Sequence, residues 1–567
     1  MIKKWNLAPK ISQDTKNKFP EINQIILQLL FNRGLDNQEK IDEFLNPDYG
    51  QDIHDPFLFR EMHKAVDRIL KAIKKKEKIV VYGDYDADGV CATVLLSEVL
   101  KELGTKPEIY IPYRETEGYG MNDKAVEELS NLGAKLIITV DCGISNKNEI
   151  EKAKQKGIEV IITDHHFEPK VLPRAYATIN PKIHGEKYPF DDLAGVGVAF
   201  KLAQARLKNG KNVNQGFEKW LLDLVALGTV ADITGLLGEN RTLVKYGLIV
   251  LKKTKRLGLI ELLKTAQINT YDIDSRVIGF YLGPRLNAAG RLDHASTAYQ
   301  LLITEDGNEA KKIALDLDEK NRQRQKMTDK IMLEALKQIN GVKEEKKLLV
   351  AIGDGWPAGV IGLASGKITD QFYRPSIIMS RNEYEIIGSG RSIEEFNLIR
   401  ALQKLEKYLS RYGGHAQACG FTMTNEKNLK NFNLELEKLA EKELQGLELA
   451  PKIEIDQEVE LEQINWDLQE AVEKFEPFGE ANQEPTFLAR GLNVVGIECV
   501  GQDGKHLRLQ VCHQSQMVKK AIAFNFGDWS DKIKVGDKID MVFKLEVNQW
   551  NGSRELQLKV IDLKTKN

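Results

Sequence analysis

Asp86 and Asp88 stand two residues apart just beyond the β-branched run KIVVYG, and Gly89 follows where a helix opens, so both carboxylates can turn toward one point. Burying such like charges side by side is costly unless a cation neutralises them. Comparable polar clusters follow two later runs: Asp141 comes after KLIITV, and the triplet Asp164-His165-His166 comes after GIEVIIT. Asp232 lies near the end of the helical stretch KWLLDLVALGTVADIT. Asp86, Asp88, Asp141, Asp232 and His165 together make a mainly oxygen donor set with one imidazole, which suits Mn²⁺ or Mg²⁺ and tilts toward Mn²⁺. Four or more carboxylates point to two ions, which at a separation of ~3.5–4 Å can activate water and polarise a phosphate. Taken alone, an aspartate at a strand end is more often a helix cap or turn residue. Three clusters at successive strand ends favour the metal.

The elements that must position these groups are legible in the alternation of short apolar runs and helical segments from about residue 78 onward, the pattern of a mostly parallel α/β sheet. In such sheets the ligand site lies at the carboxyl ends of the strands, where the three clusters should converge. From about 305 to 345 the chain reads as one long charged helix, suited to connect two lobes, and a second, smaller α/β region runs from LLVAIG at 348 to GFTM at 423. Short strands with turn signals at about 485–565 predict an all-β tail, a small barrel with a sandwich as the alternative. The length of 567 residues exceeds what one core supports. The expected division is a helical extension at 1–60, a catalytic domain at 61–300, a connecting helix at 301–345, a second α/β domain at 346–450 and the β domain at 451–567.

Composition excludes several classes. The five cysteines form no CxxC or CxxH pair, which argues against a zinc ribbon or a disulfide framework and for a reducing compartment. No stretch reaches the ~18 apolar residues of a membrane span and the first residues lack a signal-peptide core, so a cytoplasmic protein without membrane contact is expected. A net charge of −2 argues against nonspecific coating of nucleic acid. Any contact with it must be local. The segments Arg60–Lys78 and Lys311–Lys330 are basic enough to supply one, or are simply solvated helix faces.

VVYGDYDADGV, IITVDCGISN, VIITDHHFEP and LVALGTVADITGL resemble, in order and approximate spacing, the four motifs of the DHH phosphoesterases. DYDADG, GPRLNAAGRLDHA, FNRGLDNQEKIDEFLNPD and FEPFGEANQEPTF resemble the RecJ branch, and GSGRSIEEFNL with RYGGHAQACGFTM resembles the associated DHHA1 domain. The resemblance implies a two-metal exonuclease that degrades single-stranded DNA from the 5′ end, with Asp86, Asp88, Asp141, His165 and Asp232 as ligands and Asp84 beside them. It places His166 near the scissile phosphate, with Asp164 as an orienting carboxylate or a turn residue. Cys91 and Cys419 depart from the residues usual at their positions without removing a ligand.

Gripping a strand end requires phosphate donors, and guanidinium forks and glycine-rich backbone serve best. Ser389, Gly390, Arg391 and Ser392, together with Gly413, Gly414 and His415, look like substrate-binding loops of the DHHA1 domain. Arg114 is a candidate for the 5′-terminal phosphate, and Arg285, Asn287 and Arg291 for the scissile one. The tail resembles an OB fold, with His506, Arg508, Trp529 and Trp550 as possible contacts to single-stranded DNA. A helicase and a single-strand-binding protein are the partners that the family implies. Two rivals keep other chemistry in view: a DHH phosphodiesterase or phosphatase acting on short oligonucleotides or small phosphate esters, and a non-catalytic scaffold.

Overall fold

The computed structural model describes residues 3–208, 216–339, 346–513, 517–550 and 552–565. The chain forms two compact units: one runs from His54 to Thr234 and from Tyr246 to Ala450, and the other gathers the residues up to Ile53, the segment Gly235–Lys245 and the residues from Pro451 onward.

In the larger unit, β1 (Lys78–Tyr82), β2 (Glu108–Tyr110), β3 (Ala134–Val140), β4 (Glu159–Thr163) and β5 (Ala177–Ile179) form one parallel sheet in the order β2-β1-β3-β4-β5. The central strands carry apolar residues on both faces, among them Ile79 to Val81, Leu136 to Ile138 and Val160 to Ile162, all buried. That is what a sheet covered by helices on both sides demands. The strand order reverses between β1 and β3, and a doubly wound sheet opens its ligand crevice at that point, beyond the carboxyl ends. Helix α1 (Ala87–Glu102) leaves β1, is buried on nearly every side, and packs against α2 (Gly195–Lys208) and α3 (Leu222–Ala231).

A single turn of π-helix (Ile278–Leu282) leads into α4 (Gly283–Leu292), and α5 (Gly307–Ile339) then runs 33 residues, ~50 Å at 1.5 Å per residue, as the expected connector. Its buried stripe of Ala310, Ala314, Leu317, Ile331 and Ala335 follows helical spacing. Beyond it, β6 (Leu349–Asp354), β7 (Ser376–Arg381), β8 (Ile386–Arg391), β9 (Arg411–Gly414) and β10 (Ala418–Met423) form a mixed sheet in the order β9-β10-β8-β7-β6, with α6 (Ala358–Phe372) packed on it.

In the smaller unit, β11 (Phe487–Val500), β12 (His506–Cys512), β13 (Val518–Ala523), β14 (Lys538–Trp550) and β15 (Ser553–Thr565) run in the order β11-β12-β13-β15-β14, and β14 pairs back with β11. The tail is therefore a closed five-stranded barrel. The N-terminal helix Gln24–Asn32 joins the same core: Ile25, Leu27, Leu29 and Leu30 share one apolar cluster with Phe475, Phe487, Phe543 and Met541. Arg241 is buried in this unit and donates to the carbonyls of Phe44, Phe475 and Lys474 at 2.9, 2.7 and 2.8 Å, with its guanidinium 3.9 Å from the Phe44 ring centre. Trp529 is half-buried against the barrel core, and the side chain of Trp550 lies outside the described residues.

Candidate metal centre and phosphate-binding rim

The acids meet beyond the carboxyl ends of β1, β3 and β4, as the strand order requires. Asp86 caps α1, and one of its oxygens accepts the N–H groups of Asp88 and Gly89, both at 3.0 Å. Asp88, in the first turn, takes the Gly195 and Val196 N–H groups at 2.7 and 2.9 Å, which seats it on the positive end of α2. Asp141 leaves β3 with φ of 60°, a left-handed backbone that aspartate adopts more readily than most residues, and its N–H donates to the Thr163 carbonyl at 3.0 Å. Two glycines make room for this crowding. A Cβ on Gly195 would fall 2.4 Å from Asp141 Oδ1, and one on Gly228 would fall 2.6 Å from Asp88 Oδ1.

Donor atoms of Asp84, Asp86 and Asp141 lie within 4.8 Å of one another, as do those of Asp88, His165 and Asp232. The two groups touch: His165 Nε2 is 3.1 Å from Asp141 Oδ1 and 3.8 Å from Asp232 Oδ2. Burial, reinforced by the neighbouring carboxylates, holds Asp84 and Asp141 well above the usual carboxylate range and lifts Asp88 to about 7 and Asp232 to about 9. Burial also pulls His165 down to about 3, leaving it a neutral ligand. Asp84 Oδ1, Asp141 Oδ1 and His165 Nε2 are buried without a hydrogen-bond partner. Orphaned acceptors in a pool of repelling carboxylates are what a hard divalent cation satisfies, and two linked donor groups fit two ions.

Asp164 does different work. Its Oδ2 accepts the Ile144 N–H at 2.9 Å, and its Oδ1 accepts the N–H groups of His165 and His166 at 2.7 and 3.1 Å and stands 2.8 Å from His166 Nδ1. Burial opposes its charge, but these donors and the imidazole outweigh burial and hold its carboxyl below the usual range. The same pairing raises His166 against the desolvation that would lower it. With Nδ1–H directed to Asp164, Nε2 is the atom that His166 has free for chemistry. Tyr119, whose hydroxyl donates to the Asp141 carbonyl at 3.1 Å and lies 3.0 Å from His166 Nδ1, buttresses the ring.

Guanidinium groups gather beside the acids. Arg114 lies 4.8 Å from the centre of the Tyr85 ring, between two of the motif aspartates in sequence. Arg291 donates to the Gly359 carbonyl at 2.9 Å, and burial together with the charges of Arg114 and Arg324 lowers its pKa to about 9. Asn287 accepts the Ala87 N–H at 2.8 Å and so ties α4 to the start of α1. Arg391 extends from the end of β8 and lies 3.4 Å from Ser389 Oγ, and a Cβ on Gly362 of α6 would meet that hydroxyl at 2.8 Å. His415 is exposed and lies 6.5 Å, ring centre to ring centre, from Phe167, the residue after the DHH triplet. Gly413 and Gly414 are not in a loop, as the sequence suggested, but end β9, paired with Gly420 and Cys419 of β10, so that the strand delivers His415 to the same rim.

Other expected residues are engaged elsewhere. Arg285 is bound by Asp318 at 2.9 and 3.0 Å and by the Tyr281 carbonyl at 2.9 Å. Ser392 is buried and donates to the Phe396 carbonyl at 2.6 Å, and Gly390 is where a Cβ would strike Leu398 at 2.4 Å. Sequence reading missed Tyr119, Tyr85 and Arg324. Tyr85 lies inside DYDADG and Tyr119 lies five residues beyond Arg114, and that adjacency was their only signal.

Comparison with known proteins follows this geometry. The chain matches the models of the DHH family N-terminal domain at residues 78–229, the DHHA1 domain at 345–442 and the RecJ OB domain at 455–562. It is 37% identical over 543 residues to the single-stranded-DNA-specific exonuclease RecJ of Bacillus subtilis, covering 95% of this chain and 68% of that one. It is 33% identical to the Haemophilus influenzae RecJ, covering 95% and 96%. The crystal structure of Thermus thermophilus RecJ in complex with Mn²⁺ superposes with a TM-score of 0.85 at 26% identity, over 100% of this chain and 80% of that one. With the three family models matched in succession along the chain, full-length RecJ relatives at 33–37% identity and the motif acids converging at one rim, the chain belongs to the RecJ family.

Proposed function

We propose that the chain is a divalent-metal-dependent exonuclease that removes mononucleotides from the 5′ end of single-stranded DNA in repair and recombination. The observation that carries this reading is the pool of buried, unpartnered acid and imidazole atoms at the strand ends. Asp86, Asp88, Asp141, His165 and Asp232 would hold two ions, Mn²⁺ or Mg²⁺, with Asp84 at the edge of the set. Such ions lower the pKa of a water and polarise the scissile phosphate. The rest is done by the chain. Asp164 fixes His166 so that Nε2 can donate to a phosphate oxygen or relay a proton to the departing group. Arg291 and Asn287 stand where they can steady the reacting phosphate, while Arg114, Ser389, Arg391 and the end of β9 at Gly413, Gly414 and His415 suit a 5′-terminal phosphate.

We assign catalysis to residues 61–300, strand binding to 346–450 and single-strand capture to the barrel domain at 451–567. His506 and Arg508 share one strand of that barrel. Among the described residues no helix is long and apolar enough to cross a membrane. We place the enzyme in the cytoplasm, working beside a helicase and a single-strand-binding protein. The test is digestion of end-labelled single- and double-stranded oligonucleotides with Mn²⁺, Mg²⁺ or chelator. A 5′ label should be released first, as a mononucleotide, from the single strand only and only with metal. Faster turnover of dinucleotides or pyrophosphate than of long strands would reject the reading.

A further inference from the structure

Arg114, Arg324 and Arg391 all lie close enough to Arg291 to oppose its charge, with Asp86 the acid that offsets them. Four guanidinium groups in one partly buried place repel one another, and the arrangement is stable only where an anion is expected. Three of the four were foreseeable from motifs. Arg324 was not: it belongs to the basic stretch of the connecting helix, whose sequence gave no reason to prefer one cation over another.

The structure singles it out. Arg324 is half-buried on α5, and its Nε and Nη2 both donate to Asn321 Oδ1, at 3.2 and 2.7 Å, so one edge of the fork is anchored and Nη1 remains for another acceptor. It lines a cleft of about 120 Å³ together with Asn287 and Arg291, next to Ala231, the neighbour of Asp232. Asn287 spends its oxygen on the Ala87 N–H, which leaves its amide hydrogens as donors. The polar atoms offered by these three side chains are therefore all donors. The cleft is smaller than the ~300 Å³ at which whole-ligand pockets begin, a size for one phosphate group rather than a nucleotide. Only a planar fork can hold Asn321 with one edge and a phosphate with the other, which a lysine could not reproduce.

We propose that Arg324 is a substrate-binding residue that, with Arg291 and Asn287, grips a backbone phosphate of the reacting strand in this cleft. The assignment rests on the exonuclease reading above. It places a strand contact on the connecting helix, outside the segments that carry the family motifs.

The test uses the full chain and a 5′-phosphorylated single-stranded oligonucleotide, with kcat and KM measured over a series of salt concentrations for the wild type, Arg324→Ala, Arg324→Lys and, as a control, Lys337→Ala, an exposed cation in the last turn of the same helix. Arg324→Ala should raise KM about tenfold while kcat stays within about threefold. The slope of log(kcat/KM) against log[salt] should flatten by about 0.7, the share of one phosphate on a single strand. Arg324→Lys should restore the slope but only part of KM, and Lys337→Ala should change neither. A folded Arg324→Ala protein with wild-type KM and slope overturns the assignment, and so does a raised KM with an unchanged slope, which would mark a structural role. A wild type inactive on single strands would remove the exonuclease reading itself, a result distinct from an active wild type whose Arg324 is dispensable.

Discussion

Asp223 and Asp141 are both buried aspartates of the same unit, and their surroundings differ in kind. Asp223 accepts from Arg256 Nε at 2.8 Å and from the Leu224 N–H at 2.7 Å, and the same guanidinium forks onto Glu98 at 2.5 and 2.9 Å. Asp141 has other carboxylates around it and an oxygen with no donor. The first cluster is closed: both carboxylates are hydrogen-bonded to one guanidinium of the chain, which they share. The second is open, and the missing positive charge has to arrive from outside. Buried acid alone thus says little about function, whereas buried acid that the chain has left unanswered marks the place where chemistry occurs.

Removing an acid from each cluster should separate the two. Asp141→Asn keeps the shape and deletes one ligand charge; kcat on single-stranded DNA should fall by at least about a thousandfold, ~4 kcal/mol of barrier, while urea midpoints stay at or above the wild type. Single-turnover assays check the first half, and undiminished cleavage would dissolve the contrast. Arg256→Ala should do the reverse: about 3–5 kcal/mol of stability is lost because Asp223 and Glu98 are stranded, while the folded fraction keeps near-normal turnover.

The smallest effect is on pH dependence. In chelator the folded protein holds the Asp232 proton up to about pH 9 and that of Asp88 up to about 7, whereas the unfolded chain releases both near 4. The native state therefore binds more protons between about pH 5 and 8, and its stability falls as pH rises through that window. Melting temperatures in chelator should drop by several degrees from about pH 5.5 to 8, and Mn²⁺ should raise them most at the alkaline end, because metal displaces those protons. A chelated protein equally stable at both pH values would show that the open cluster is neutralised by the chain after all.

Much of this was legible in the residues. Runs such as KLIITV, alternating with helical segments, read as strands of a mostly parallel sheet, and acids at their ends belong at its carboxyl edge, so the sheet and the meeting place of the acids followed from local pattern. What escaped were facts that depend on partners distant in sequence. Nothing near Asp88 announces that the backbone of Gly195 and Val196 will cap it, and nothing in GPRLNAAGR distinguishes Arg285, tied down by Asp318, from Arg291, which stays beside the acids. Arg324 was hidden for the same reason, one cation among many on a polar helix. The barrel was read from strand spacing, but its shared core with the N-terminal helix was not, since apolar residues at helical spacing do not say what they will cover.

That shared core has a bearing on how the protein is made. Leu29 and Leu30 leave the ribosome some 500 residues ahead of Phe487, Met541 and Phe543, against which their cluster closes, a delay of roughly 25–100 s at 5–20 residues per second. During that interval the nascent chain carries an apolar helix whose barrel partners do not yet exist, a surface of the kind that chaperones cover, and a stop codon placed before the barrel would leave it so permanently.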